Sequence, residues 1–64
     1  MANVFVHYNG FGFYVDEKLV EEYGIDVVLV SEDSYGYTYF VSVGGQGAYI
    51  NTDHEITEDD ISVS

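Results

Sequence analysis

Apolar and polar positions alternate along this chain at two different periods, and the switches between them mark out its elements. "VFVHYNGFGFYV", residues 4–15, runs at a period of two. Asn9-Gly10 at its middle is the preferred pair for a two-residue type I′ turn, whose central residues both need positive φ. Folding there sets Tyr8 across from Phe11, Val6 from Phe13 and Val4 from Val15, all on one face. Phe5, His7, Gly12 and Tyr14 take the other face. Both strands agree on which face is apolar, and that agreement sets the register.

"VDEKLVEEYGI", residues 15–25, repeats instead at the helical period. Asp16 suits an N-cap, Leu19, Val20 and Tyr23 fall on one stripe, and Gly24 suits the position after the last turn. The pattern predicts an amphipathic helix of about two turns, with Glu17, Glu21 and Glu22 facing solvent. The like charges of Glu17 and Glu21 cost an isolated helix roughly 0.2–0.5 kcal/mol, and Lys18 offsets part of this by reaching Glu22.

"DVVLV" (26–30) and "YTYFVSV" (37–43) predict two more strands, joined by the polar turn "SEDSYG" (31–36). Tyr35, Tyr37, Tyr39, Val41 and Val43 share one parity; Thr38, Phe40 and Ser42 share the other. "GGQG" (44–47) predicts a further turn before a short strand, "AYIN" (48–51). The acidic C-terminal segment, 52–64, leaves three options open: a frayed tail, a short helix begun at Thr57, or an edge strand at "ISVS". The order β-β-α-β-β-β predicts an α+β fold: a small, mostly antiparallel sheet of about five strands carrying one short helix. A length of 64 residues without repeats or linkers predicts a single domain over 1–64.

So short a chain buries only about 60% of its unfolded surface, and it has no cysteine with which to staple itself. A hydrophobic fraction of 47%, with seven tyrosines and four phenylalanines, nevertheless argues against disorder. A partner could add stability; so could a second copy, which leaves a homodimer as an option. The charge narrows the partners further. Twelve aspartates and glutamates face one lysine, Lys18, for a net charge of -11. Such a chain is repelled by DNA, RNA and anionic membrane surfaces, whose binding needs Lys and Arg. No apolar run approaches the roughly 20 residues that span a bilayer. The start, "MANVFVHYNG", lacks the basic and apolar regions of a secretory signal. Together with the lack of cysteine, this predicts a cytoplasmic location.

Little in the chain carries reaction chemistry. No Ser/His/Asp or Cys/His set and no Gly-x-Ser-x-Gly elbow is present, so no enzyme is expected. Aligning a calcium loop on Gly36 puts Ser31, Tyr35 and Ser42 where acids belong, with only Asp33 in place. Aligning it on Asn51, Asp53 and Glu55 puts Ile56 where glycine belongs and Ser62 at the end. "VGGQGAY" lacks the Lys-Ser/Thr ending and following helix of a phosphate loop. His7 and His54 form no zinc pattern. No cofactor and no metal is expected.

The acid excess is what remains to explain. A net charge of magnitude roughly 2–8 suffices for solubility in a small domain. Adaptation to high salt is one explanation; a role opposite a basic surface is the other and is favoured, because self-repulsion is costly in a small fold. Nucleic-acid-binding grooves are the commonest large basic surfaces. The candidate partner-binding residues are therefore Asp16, Glu17, Glu21 and Glu22 around the helix. Glu32, Asp33 and Tyr35 follow in the expected turn, then Asp53, Glu55, Glu58, Asp59 and Asp60 in the C-terminal segment. Tyr35 joins the acids because tyrosine is enriched at interfaces. Tyr37 and Tyr39 have two readings, an amphipathic stripe at an interface or, the favoured one, half of a small core with their hydroxyls reaching water.

"GFGFYVDEKLVEEYG", residues 10–24, resembles a family of small acidic type I-F anti-CRISPR proteins from phages. The resemblance implies a phage-encoded inhibitor, acting in the host cytoplasm, whose carboxylates imitate nucleic-acid phosphates at a basic groove. The acidic residues do the binding in that family, and the matching positions here are Asp16, Glu21 and Glu22. Downstream of Gly24 the likeness ends, which leaves the target open. Two other readings of the residues stand beside it. One is an immunity protein or antitoxin that neutralises a basic nuclease toxin, with tyrosines as anchors. The other is a plain acidic structural or accessory protein.

Overall fold

At the first turn, Asn9 takes φ 50° and Gly10 φ 84°, as the type I′ geometry demands. The computed structural model describes residues 2–64. Strands β1 (Asn3–Tyr8) and β2 (Phe11–Asp16) pair antiparallel across this turn. Val4 faces Val15, Val6 faces Phe13 and Tyr8 faces Phe11, in the register that the sequence predicts. Helix α1 (Glu17–Tyr23) follows directly. The Asp16 carboxylate accepts from the Lys18 backbone N–H at 3.0 Å, and the Gly24 N–H donates to the Val20 carbonyl at 2.9 Å. Leu19 and Val20 pack on the core. Tyr23 departs from the predicted stripe and stays 62% exposed. Its ring lies over Gly44, where a Cβ would crowd it.

The second half forms three antiparallel strands, β3 (Asp26–Asp33), β4 (Gly36–Val43) and β5 (Gln46–Thr52), in the order β3-β4-β5. Both connections are tighter than the sequence pattern suggests. The Asp33 carboxylate accepts from the backbone N–H groups of Tyr35 (2.8 Å) and Gly36 (3.2 Å), so the bend contracts to Ser34-Tyr35. Ser31, Glu32 and Asp33 thus belong to a strand rather than a turn. At the other end, Gly44 (φ 56°) and Gly45 (φ 90°) make the turn alone, which frees Gln46 and Gly47 to extend β5. One bulge interrupts β3 between Leu29 and Ser31.

The C-terminal segment is not a frayed tail: two of its three options form together. Thr57 caps a short 3-10 helix over Glu58–Asp60 in a reciprocal capping box with Asp60. Strand β6 (Ser62–Val63) then pairs antiparallel with β1. Ser64 and Phe5 extend that pairing, exchanging N–H···O bonds of 2.9 and 3.0 Å.

The fold is thus α+β, antiparallel and mostly strand, but the single sheet of about five strands is corrected. Among the described residues, six strands form two three-stranded sheets, β2-β1-β6 and β3-β4-β5. The reason lies in the helix. Its seven residues send only Leu19 and Val20 inward, too little to cover the apolar face of five strands. The two sheets cover each other instead. Val6 and Val15 from the first join Val41, Val43 and Ile50 from the second in one buried cluster. Ile56 is buried outside this cluster: it is 5% exposed, and its N–H donates to the Tyr39 hydroxyl at 3.1 Å.

Candidate functional site

The acidic side chains sort into two kinds by what they hold. Four aspartates serve the fold locally. Asp16 caps α1, Asp33 closes the β3–β4 turn, and Asp60 accepts from the Thr57 N–H at 2.9 Å. Asp53 accepts from His54 Nδ1 at 2.6 Å. Backbone amides occupy some lone pairs of such carboxylates without neutralising their charge. Glu17, Glu21, Glu22, Asp26, Glu32, Glu55, Glu58 and Asp59 make no side-chain hydrogen bond among the described residues. Asp53–His54 is the one ion pair among those residues, and it requires a protonated imidazole. The expected Lys18–Glu22 bridge does not form. An exposed pair of this kind gains little in water against the entropy of fixing two long side chains.

Three acidic groups result. Glu17, Glu21 and Glu22 project from α1, next to its cap Asp16. A second group gathers where the β3–β4 turn meets the end of β5. Glu32 and Glu55 both act on the Tyr37 hydroxyl, and Glu32 is the main reason its pKa lies above 10.0. Partial desolvation and Glu55 push it the same way. Tyr35, 94% exposed, lies between Asp33 on one side and Asn51, Thr52 and Asp53 on the other, above two shallow grooves. The third group pairs distant parts of the chain: Glu58 and Asp26 line one groove with Ile25, Val27, Ile56 and Thr57. Asp59 and Asp60 follow Glu58 in the 3-10 helix.

The acidic run that is continuous in sequence is therefore split. Asp53 and Glu55 lie with the acids of the β3–β4 turn, whereas Glu58 lies with Asp26. Ile56 divides them by turning inward. Asp26 is absent from the residues singled out by sequence, since it stands alone there; only the docking of the C-terminal segment gives it an acidic neighbour.

A polar row was also missed. The Tyr8 hydroxyl lies 3.0 Å from His54 Nε2, and Asp53 binds the other ring nitrogen. The His54 bond is the largest cause lowering the Asp53 pKa below 3.8, assisted by Asp53's own backbone and the imidazolium charge. Tyr8 and His54 are 46 positions apart, so no local pattern announces the contact. The row ties β1 to the loop after β5. Such a chain of groups can relay a proton, but His54 is 61% and Asp53 91% exposed, in a position open to water.

Among the described residues, no three His, Cys, Asp or Glu side chains converge as a metal-holding group, because the acids are spread around the surface. No helix among these residues is long and apolar enough to cross a membrane. No protein-family model, curated protein or solved structure matches the chain.

Proposed function

We propose that this protein is an acidic, phage-type inhibitor. It occupies the basic nucleic-acid-binding surface of a host defence protein, as an anti-CRISPR or anti-restriction factor does. One observation carries the reading: a net charge of -11, with eight of the twelve carboxylates held by no group within the described fold. A carboxylate without an internal partner keeps its full charge-assisted bonding capacity for an external Lys or Arg. The likeness of residues 10–24 to small anti-CRISPR proteins supports the same reading.

The mechanism follows from electrostatics. The acidic surface speeds encounter with a basic groove. Carboxylates then take the places of phosphates on Lys and Arg, and the nucleic acid loses its seat. Glu17 and Glu21 stand about 6 Å apart along the axis of α1, at 1.5 Å per residue. The protein acts in the host cytoplasm, without itself touching nucleic acid or membrane. Competition tests this: it should displace DNA from its target, and each patch changed to amides (Glu17, Glu21 and Glu22, or Glu32 and Glu55) should weaken it cumulatively.

A second reading has one observation in its favour. Tyr35 stands 94% exposed at the tip of the β3–β4 turn, as an anchor of an immunity protein would. Tyr35→Ala should then cost about 2 kcal/mol or more of binding while amide changes do little.

A further inference from the structure

Strand β3 forms the outer edge of its sheet. β4 is its one hydrogen-bonded neighbour, and among the described residues no other backbone hydrogen bond reaches it. Its centre is apolar and open to water: Val28 is 54%, Leu29 46% and Val30 53% exposed. Edge strands of this length are usually blunted by lysine, proline or a covering element. The chain has no proline, and its one lysine is on α1. The acids at its two ends and the bulge after Leu29 are its blunting features, and the bulge leaves Asp26–Leu29 regularly paired with β4.

Acids bracket this apolar centre. Asp26 with Glu58 stands at its start, and Glu32 with Asp33 and Glu55 at its end. That arrangement selects the occupant. Pairing two copies of β3 antiparallel about Leu29 would set Asp26 of each across from Glu32 of the other. Like charges directly opposite destabilise a pair, so in the register centred on Leu29 the edge disfavours its own copy. A strand with basic ends meets opposite charges at the same positions. On the outer face, Val28 continues into Phe40 and Tyr49, which are neighbours across the sheet with ring centroids 5.0 Å apart. Side chains of an added strand would find an apolar row there.

We infer that the open edge of β3 docks an extended segment of the partner protein, apolar at its centre and carrying Lys or Arg at both ends. That segment becomes a fourth strand beside β3-β4-β5. The inference rests on the basic-partner reading and adds where and how the partner is held: main-chain bonds along the edge supply affinity, and the charged ends supply register.

The test uses the whole protein, isotope-labelled and followed by NMR, with two synthetic probes. One is the peptide Lys-Lys-Thr-Val-Thr-Val-Thr-Lys-Lys; the other replaces its central threonine by proline, which keeps the charge and blocks pairing. The first peptide should shift and protect the amides of residues 26–31 and bind about tenfold or more tighter than the second. Val28→Asp separates docking from charge, because it adds an acid yet removes apolar contact. Docking requires weaker binding to Val28→Asp, with Val28→Thr as the variant that keeps strand preference. Equal binding of both peptides, tighter binding to Val28→Asp, or shifts confined to α1 would overturn the edge site. So would a dimer in sedimentation that Val28→Asp dissociates, or no binding of either peptide at low salt. None of these outcomes decides the acidic reading, which stands or falls on DNA competition.

Discussion

Replacing Tyr39 by phenylalanine removes one oxygen from the core and leaves the ring in place. That oxygen accepts the Ile56 N–H at 3.1 Å, in a position where Tyr39 and Ile56 are each 5% exposed. Without it, the amide is left buried and unpaired, at a cost of about 1–3 kcal/mol. A domain of this length has roughly 3–10 kcal/mol in hand, taking 0.05–0.15 kcal/mol per residue. The loss is therefore large in proportion. At about 4–8 °C per kcal/mol for a chain this size, the melting temperature should fall by roughly 5–20 °C. Tyr37→Phe is the matched control: the Tyr37 hydroxyl has no hydrogen bond among the described residues, so its loss should stay within about 0.5 kcal/mol. Thermal melts and urea titrations of both variants measure this. If Tyr39→Phe melts with Tyr37→Phe, the hydroxyl does not anchor Ile56, and the account of how the C-terminal segment is held fails. The anchor matters to function because Ile56 separates Glu55 from Glu58, and its burial sends those acids to opposite ends of β3.

Other outcomes follow from the same structure. Gly12→Ala places a Cβ against the Val6 carbonyl and His7, so it should destabilise the β1–β2 hairpin by about 1–3 kcal/mol in urea titrations. Added salt at neutral pH should raise the melting temperature, by screening like charges, while weakening partner binding; a parallel response of the two would contradict the unpaired acidic surface. The pKa of Asp53 is depressed in the folded state, so its contribution is present above pH 3.8 and lost as pH falls through the lower folded value. Melts in that window should therefore bring wild type and Asp53→Asn together. The pKa of Tyr37 is raised, so its contribution is lost as pH rises past 10.0, and Tyr37→Phe should lessen alkaline unfolding.

The parts of this fold that were legible in sequence are those decided locally. Asn9-Gly10 fixes a turn by its own dihedral preferences, and Asp16 and Gly24 bound a helix by the amides they satisfy or release. What was hidden depends on contacts far along the chain. The place of Ile56 is set by a hydroxyl 17 residues away, and Ser64 pairs with Phe5 from the far side of the chain. Ser31, Glu32 and Asp33 looked like turn residues because they are polar, yet an edge strand open to water accepts polar side chains. The same holds for the acidic surface. Its sign is plain from composition, but its grouping is not, since it takes the fold to divide the acids of 53–60 and to bring Asp26 beside Glu58.

The central claim is that unpaired carboxylates take the place of phosphates on a basic host protein. Its most direct test immobilises the protein in bacterial lysate at low salt and elutes with double-stranded DNA. A matched column carries the Glu17→Gln, Glu21→Gln, Glu22→Gln, Glu32→Gln and Glu55→Gln variant, first checked to melt at or above the wild-type temperature. The account predicts a nucleic-acid-binding protein that is retained by wild type, released by DNA and lost from the amide column. Equal retention on both columns, or retention that DNA does not reverse, would contradict it.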